Sequence, residues 1–175
     1  MRNIDSTQRN EQLACFATAP ADEAVRTLLA LCSSPQWAHA VVAGRPYADV
    51  AALADASDAV FGTLAPAELD AALAGHPRIG DRVSGADTAA RLSRSEQSAM
   101  QSADAEVAAQ IVQGNLAYEQ RFDRVFLIRA AGRTPREILD ELQRRLGNDD
   151  DTESAEVREQ LRQITRLRLE GAFNR

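Results

Sequence analysis

The chain holds two histidines, and only one stands where an acid or base could be aimed. His76 lies in "AGHPRIG", Ala74 to Gly80. Gly75 before it reads as the left-handed residue that stops a helix. Pro77 after it fixes its own φ and biases the preceding residue toward extended backbone. The imidazole therefore leaves a short, stiff turn, a setting that suits general acid–base chemistry near neutrality. Taken alone, the stretch leaves two readings open, a catalytic histidine and an ordinary surface-turn histidine. His39, in "WAHAVV", sits mid-helix and reads as structural.

Three further positions can carry chemistry. Glu96 closes "SRSE", where Ser93 and Glu96 have the S-x-x-E spacing of a capping box. The same helix start exposes N–H groups that can bind an anion, so capping and ligand binding are compatible. Gln97 beside it is placed to hydrogen-bond a ligand or to face water. Arg168, in "ITRLRLEG", follows Leu161 and Ile164 on one helical stripe. An arginine on such a stripe requires a partner, either a structural carboxylate or an anionic ligand. Arg166 reads as solvent-facing.

Much chemistry is excluded. The histidines have no metal-ligand spacing, and there is no GxGxxG fingerprint or phosphate loop, so neither a metal nor a nucleotide cofactor is expected. All 20 basic residues are arginine, which rules out a lysine Schiff base and otherwise reads as compositional bias of a GC-rich genome. Cys15 and Cys32 are too few for a disulfide framework and read as buried free thiols. A net charge of −6 argues against a nucleic-acid partner. No apolar run is long enough to span a membrane, no secretory leader or peroxisomal address is legible, and the expected location is cytoplasmic.

The elements that must position these residues are helical. A polar start, residues 1–10, reads as a loose end, and helices follow in "ADEAVRTLLALCSS", "SPQWAHAVVAG", an Ala-rich stretch from about Tyr47, and "APAELDAALAG". Ser34 and Pro35 suit an N-cap and a first helical position, and Gly44 a stop. The stretch from Ser93 to Phe122 reads as one long helix that Gly114 interrupts. "TPREILDELQRRLG" opens on a capping box, Thr134 to Glu137, and "NDDDTES" reads as a solvated acidic loop before the last helix. "VFLIRAAG" is the one strand-like run, and it cannot make a sheet alone. The expected fold is an all-α, single-domain bundle over 1–175, with about seven or eight helices and one short extended segment.

In order and spacing, "SPQWAHAVVAGRPYADVAAL", "GHPRIG", "SRSEQSAM", "NLAYEQRFDRVFLIRAAGRTPREILDELQRRLGND" and "ITRLRL" resemble the 2-oxo-4-hydroxy-4-carboxy-5-ureidoimidazoline (OHCU) decarboxylase family of urate degradation. The resemblance covers nearly the whole chain after about residue 13. It implies an all-α enzyme that removes CO2 from OHCU to give (S)-allantoin, with no metal or organic cofactor. It assigns catalysis to His76, and here Glu96 is expected to assist it. Substrate contacts fall on Pro77, on Ser93, Arg94, Ser95, Glu96 and Gln97, on Phe126, Leu127, Ile128, Arg129 and Ala130, and on Arg168. The partners expected are the small molecule OHCU and a second copy of the chain, with association to the upstream hydroxyisourate hydrolase left open. Two positions depart from the family pattern: Asp123 follows Phe122 where the family has Gly, and Arg129 replaces a smaller residue, often Cys. The competing class is a helical interaction module that keeps the fold without the chemistry.

Overall fold

The computed structural model describes residues 6–81 and 103–174, with Leu92, Ser98 and Met100 between them. Among the described residues there are eight helices and no strand. They are α1 Ser6–Thr18, α2 Ala21–Leu29, α3 Pro35–Ala43, α4 Val50–Phe61, α5 Pro66–Ala74, α6 Ala105–Phe122, α7 Pro135–Arg145 and α8 Asp150–Phe173. The all-α expectation holds. α1 takes in Ser6–Asn10, which the sequence leaves as part of a loose end.

The helix boundaries follow from their caps. Ser34 accepts from the Trp37 N–H at 3.1 Å, and Pro35 opens α3. The Ser34 hydroxyl in turn donates to Glu68 at 2.6 Å, so a carboxylate near the start of α5 steadies the cap of α3. α4 begins at Val50 rather than near Tyr47, because Asp49 caps it through the Ala52 N–H at 2.7 Å. The Tyr47 hydroxyl instead donates to the Val41 carbonyl at 2.6 Å. Thr134 and Glu137 form the expected capping box of α7. The acidic run expected to be a solvated loop is the start of α8: Asp149 accepts from the Thr152 N–H at 2.7 Å, and Asp150, Asp151 and Glu153 occupy the first turn. Acidic residues there complement the positive end of the helix dipole. A helix opening at Ser93 lies outside the described residues; α6 starts at Ala105, capped by Asp104.

Gly114 does not break α6. A Cβ at that position would lie 2.5 Å from a methyl of Leu142 on α7, so the glycine lets the two helices approach closely. At the end of α6, Asp123 takes the left-handed conformation, φ 52° and ψ 34°. Glycine adopts that conformation without penalty and aspartate is among the residues that tolerate it, which accounts for the Phe-Asp departure from Phe-Gly.

The chain divides into two compact units. One comprises residues up to Ala71 together with Arg162 onward. Its core holds Leu28, Trp37, Leu53 and Phe61, all buried, with the Trp37 indole N–H donating to Ser57 at 2.9 Å. Phe16 meets Phe173 edge-on at 5.2 Å between ring centroids. The other unit, Ala72–Leu161, packs Ile79, Ile111, Tyr118, Phe122, Phe126, Ile128, Ala130, Ile138, Leu139 and Leu142 into one apolar cluster.

Candidate active site

His76 is set by the end of α5. Its backbone N–H bonds to the Leu73 carbonyl at 2.8 Å, closing the helix with a tight last turn. The positive-φ glycines among the described residues are Gly80 and Gly132, so the left-handed position in this stretch is Gly80 (φ 90°) and not Gly75. The His76 ring folds back on the same helix, with Nδ1 2.9 Å from the Ala72 carbonyl. A carbonyl only accepts, so Nδ1 carries the proton in that bond and Nε2 is the basic nitrogen of the neutral ring. His76 and Pro77 are both half-buried.

The turn that follows is anchored to α6. Ile79 is buried in the apolar cluster, and its carbonyl accepts from Asn115 Nδ2 at 3.0 Å. Arg78 makes a two-pronged ion pair with Glu119, one bond being Nη2 to Oε2 at 2.6 Å. That pair holds the Glu119 carboxyl below its ordinary range and raises Arg78. His39, by contrast, is exposed on α3.

The segment expected to wall the pocket, Phe126 to Ala130, lies in neither a helix nor a strand. Phe126, Leu127, Ile128 and Ala130 are buried. A buried backbone outside helix and sheet needs other hydrogen-bond partners. Side chains supply two of them: Arg145 Nη1 donates to the Leu127 carbonyl at 2.7 Å, and the Arg129 N–H donates to Gln160 Oε1 at 2.8 Å. The Arg129 side chain bonds to the Ala131 carbonyl at 3.2 Å, within its own loop. Ile79, Phe126, Ile128 and Ala130 share one cluster, so a single core carries both the His76 turn and the wall.

Behind the wall lies a group that the sequence reading missed. Arg145 and Glu153 form a fully buried ion pair. Arg145 Nε donates to Glu153 at 3.0 Å, the Tyr118 hydroxyl donates to the same carboxylate, and Asn148 reaches its second oxygen at 2.8 Å. The guanidinium also lies over the Phe126 ring, 4.7 Å from its centroid. Burial, and then the bond to Glu153, push the Tyr118 hydroxyl far above its ordinary range. A signal was available: Ile138, Leu142 and Arg145 fall at i, i+4 and i+7, so Arg145 sits on the apolar stripe of α7 just as Arg168 sits on that of α8.

Arg168 belongs to the first unit. It is buried, and its Nη1 donates to the Leu31 carbonyl at 2.8 Å. Cys32 lies beside it, buried in the connection between α2 and α3 and hydrogen-bonded to Thr165; desolvation pushes its thiol up. Cys15 is free as well but exposed, contrary to expectation. Arg166 is not simply solvent-facing: it pairs with Asp55 at 2.9 Å and Asp58 at 2.7 Å. Ser93, Arg94, Ser95, Glu96 and Gln97 lie outside the described residues. Among the described residues no three His, Cys, Asp or Glu side chains are grouped to hold a metal ion, and no helix is long and apolar enough to cross a membrane.

Comparison with known proteins bears on the fold and the family. The uric acid degradation bifunctional protein TTL of Arabidopsis thaliana is 30% identical over 146 residues, 82% of this chain. The chain spans about half the length of that curated relative, 45%. A crystal structure of OHCU decarboxylase in the presence of (S)-allantoin matches with a TM-score of 0.74 at 22% identity, over 85% of this chain and 98% of that one. A crystal structure of (S)-allantoin synthase matches with a TM-score of 0.68 at 18% identity, over 91% of this chain and 53% of that one. These two structures share the fold. The family model for OHCU decarboxylase matches residues 17–170, and the chain belongs to that family.

Proposed function

We propose that the chain decarboxylates OHCU to (S)-allantoin and CO2, with His76 as its acid–base residue. The observation that carries this reading is the His76 ring, held through Nδ1 by the Ala72 carbonyl in the Gly-His-Pro stretch that ends α5, in a chain of this family. The substrate supplies its own electron sink. Its carboxylate-bearing carbon adjoins a conjugated ring C=N that accepts the charge left when CO2 departs. The protein's task is to hold the carboxylate out of that plane, stabilise the delocalised charge and direct a proton to one face. In this reading His76 Nε2 hydrogen-bonds the reacting centre and handles its proton transfer, and Glu96 orients the imidazole or the substrate hydroxyl.

Burial bears on the role of the wall segment. The side chains of Phe126, Leu127, Ile128 and Ala130 face the protein, so this segment serves the ligand with main-chain groups. The Leu127 carbonyl and the Arg129 N–H already have protein partners, so the grip on the ureido and ring amides rests chiefly on their neighbours. On that account Arg129 in place of a smaller residue changes little. Pro77 packs against the substrate, Ser93 to Gln97 line the pocket, and Arg168 meets the anionic substrate with a charge-assisted bond. The reading treats the chain as one domain, a cytoplasmic homodimer that needs no cofactor; association with hydroxyisourate hydrolase is a further question for the same protein.

The test is optical. Freshly made OHCU is mixed with the protein, and the circular dichroism of (S)-allantoin is followed against spontaneous decay. Wild type is expected to accelerate its appearance. His76→Asn is expected to lose about 10²- to 10⁴-fold, the usual worth of a general acid–base group. Near-full turnover in His76→Asn would remove the assignment.

A further inference from the structure

We infer that Asn115 is a positioning residue for His76, pinning the His-Pro turn to α6 so that the imidazole keeps one orientation. The inference rests on the reading of His76 as the acid–base group. Asn115 lies 36 residues from Ile79 in sequence, and its buried amide donates to the Ile79 carbonyl at 3.0 Å. One helical turn further along α6, Glu119 grips Arg78. The two residues that follow His76-Pro77 are thus both held by one face of α6, while the ring itself is tied through Nδ1 to α5. Pro77 has a fixed φ, so a displacement of Arg78 and Ile79 is passed to His76 rather than absorbed between them.

The energetics of Asn115 point the same way. Its Oδ1 is buried and makes no hydrogen bond among the described residues. A buried acceptor left unsatisfied costs stability, so an asparagine here is a poor choice for folding alone. What it contributes is a directional bond to the backbone of the turn that bears His76. Leucine has nearly the same shape, would not carry the orphaned oxygen, and would leave the Ile79 carbonyl without its donor. The two costs oppose each other, and Asn115→Leu is expected to unfold within a few degrees of wild type.

Activity is expected to behave differently. In Asn115→Leu, kcat falls on the order of 10²-fold, the cost of a misplacement of about 1 Å, while KM changes little. In a His76→Asn background the same substitution costs no further rate, because two residues acting as a unit are not additive. A second readout needs no turnover. The chain has two histidines, so ¹⁵N spectra of the labelled imidazoles give two pairs of ring-nitrogen signals, with exposed His39 as internal reference. Wild-type His76 is expected to show the Nδ1–H tautomer, and Asn115→Leu to move it toward the averaged signal of His39. Should Asn115→Leu fail to fold, Glu119→Gln loosens the other half of the clamp from a more exposed position and is expected to lower kcat several-fold in the same pattern. An unchanged His76 signal together with unchanged kcat overturns the inference, as does an equal rate loss in both backgrounds. A shifted His76 signal with full turnover in His76→Asn leaves the pin standing and overturns the acid–base reading instead.

Discussion

Arg144 and Arg145 are consecutive on α7 and both reach glutamates of α8, yet they work in different media. Arg145 and Glu153 expose 0% and 1% of their side chains. Arg144 is 50% exposed and pairs with Glu141 at 2.6 Å and with Glu156. The inner pair has lost its hydration and recovers it only through a full set of partners: Tyr118, Asn148 and the Leu127 carbonyl beside the two charges themselves. The outer pair keeps water and competes with it. The difference shows that an ion pair here acquires structural weight from what it is buried against. The inner arginine holds the backbone of the candidate pocket wall, and the outer one stitches two helices at the surface.

The largest expected effect breaks the inner pair. Glu153→Ala leaves a guanidinium buried without its carboxylate, a change that costs about 3–5 kcal/mol. For a chain of this length that lowers Tm on the order of 10 °C. The measurement is thermal unfolding by circular dichroism at neutral pH. A loss below about 1 kcal/mol would place Glu153 in the same class as the outer glutamates and would end the contrast.

A smaller effect sharpens the comparison at the inner face of α7. Gly114→Ala on α6 gains about 1 kcal/mol of helix propensity. It also drives a methyl into Leu142, fully buried one turn from Arg145, where overpacking costs about 1–3 kcal/mol. The net is a loss of about 1 kcal/mol in denaturant unfolding. A gain in stability would mean that the α6–α7 contact has slack, and the tight inner face would be a wrong description.

Gly114 also shows where sequence reasoning reaches its limit. Periodicity and caps made most helices legible: Ser34, the Thr134–Glu137 box and the stripe of Leu161 and Ile164 are local signals, and local signals suffice for local structure. The buried arginine at 168 was legible for the same reason. Gly114 read as a break because its reason lies on another helix, in the position of Leu142. Glu153 was lost in an acidic run because nothing in "NDDDTES" marks one carboxylate as buried; its partner Arg145 decides that. The candidate site divides in the same way. The turn at His76 could be read from the His-Pro pair, with the left-handed glycine at Gly80 rather than Gly75, whereas its anchorage through Ile79 to Asn115 is a long-range contact with no sequence pattern of its own.

The smallest effect belongs to the outer pair, and its pH dependence separates it from the inner one. Hydrogen bonds from Arg144 hold Glu141 and Glu156 below their ordinary value of 4.5. A carboxylate with a lowered folded pKa contributes stability that is fully present above its unfolded value. That stability is lost as pH falls from about 4.5 through the depressed folded values, where the folded chain at last takes up the protons that the unfolded chain has already bound. Arg144→Ala removes this contribution. The variant is therefore expected to be less stable than wild type by under 1 kcal/mol at pH 7 and low salt, in the range of exposed pairs. The gap is expected to close as pH drops below about 4 and to shrink as salt rises toward 1 M. Urea unfolding of the two proteins across that pH and salt grid is the measurement. A gap that persists unchanged in acid and in high salt would mean that Arg144 acts through packing rather than charge. Its stem would then cover apolar surface between α7 and α8, and the line drawn between the two arginines would be one of degree.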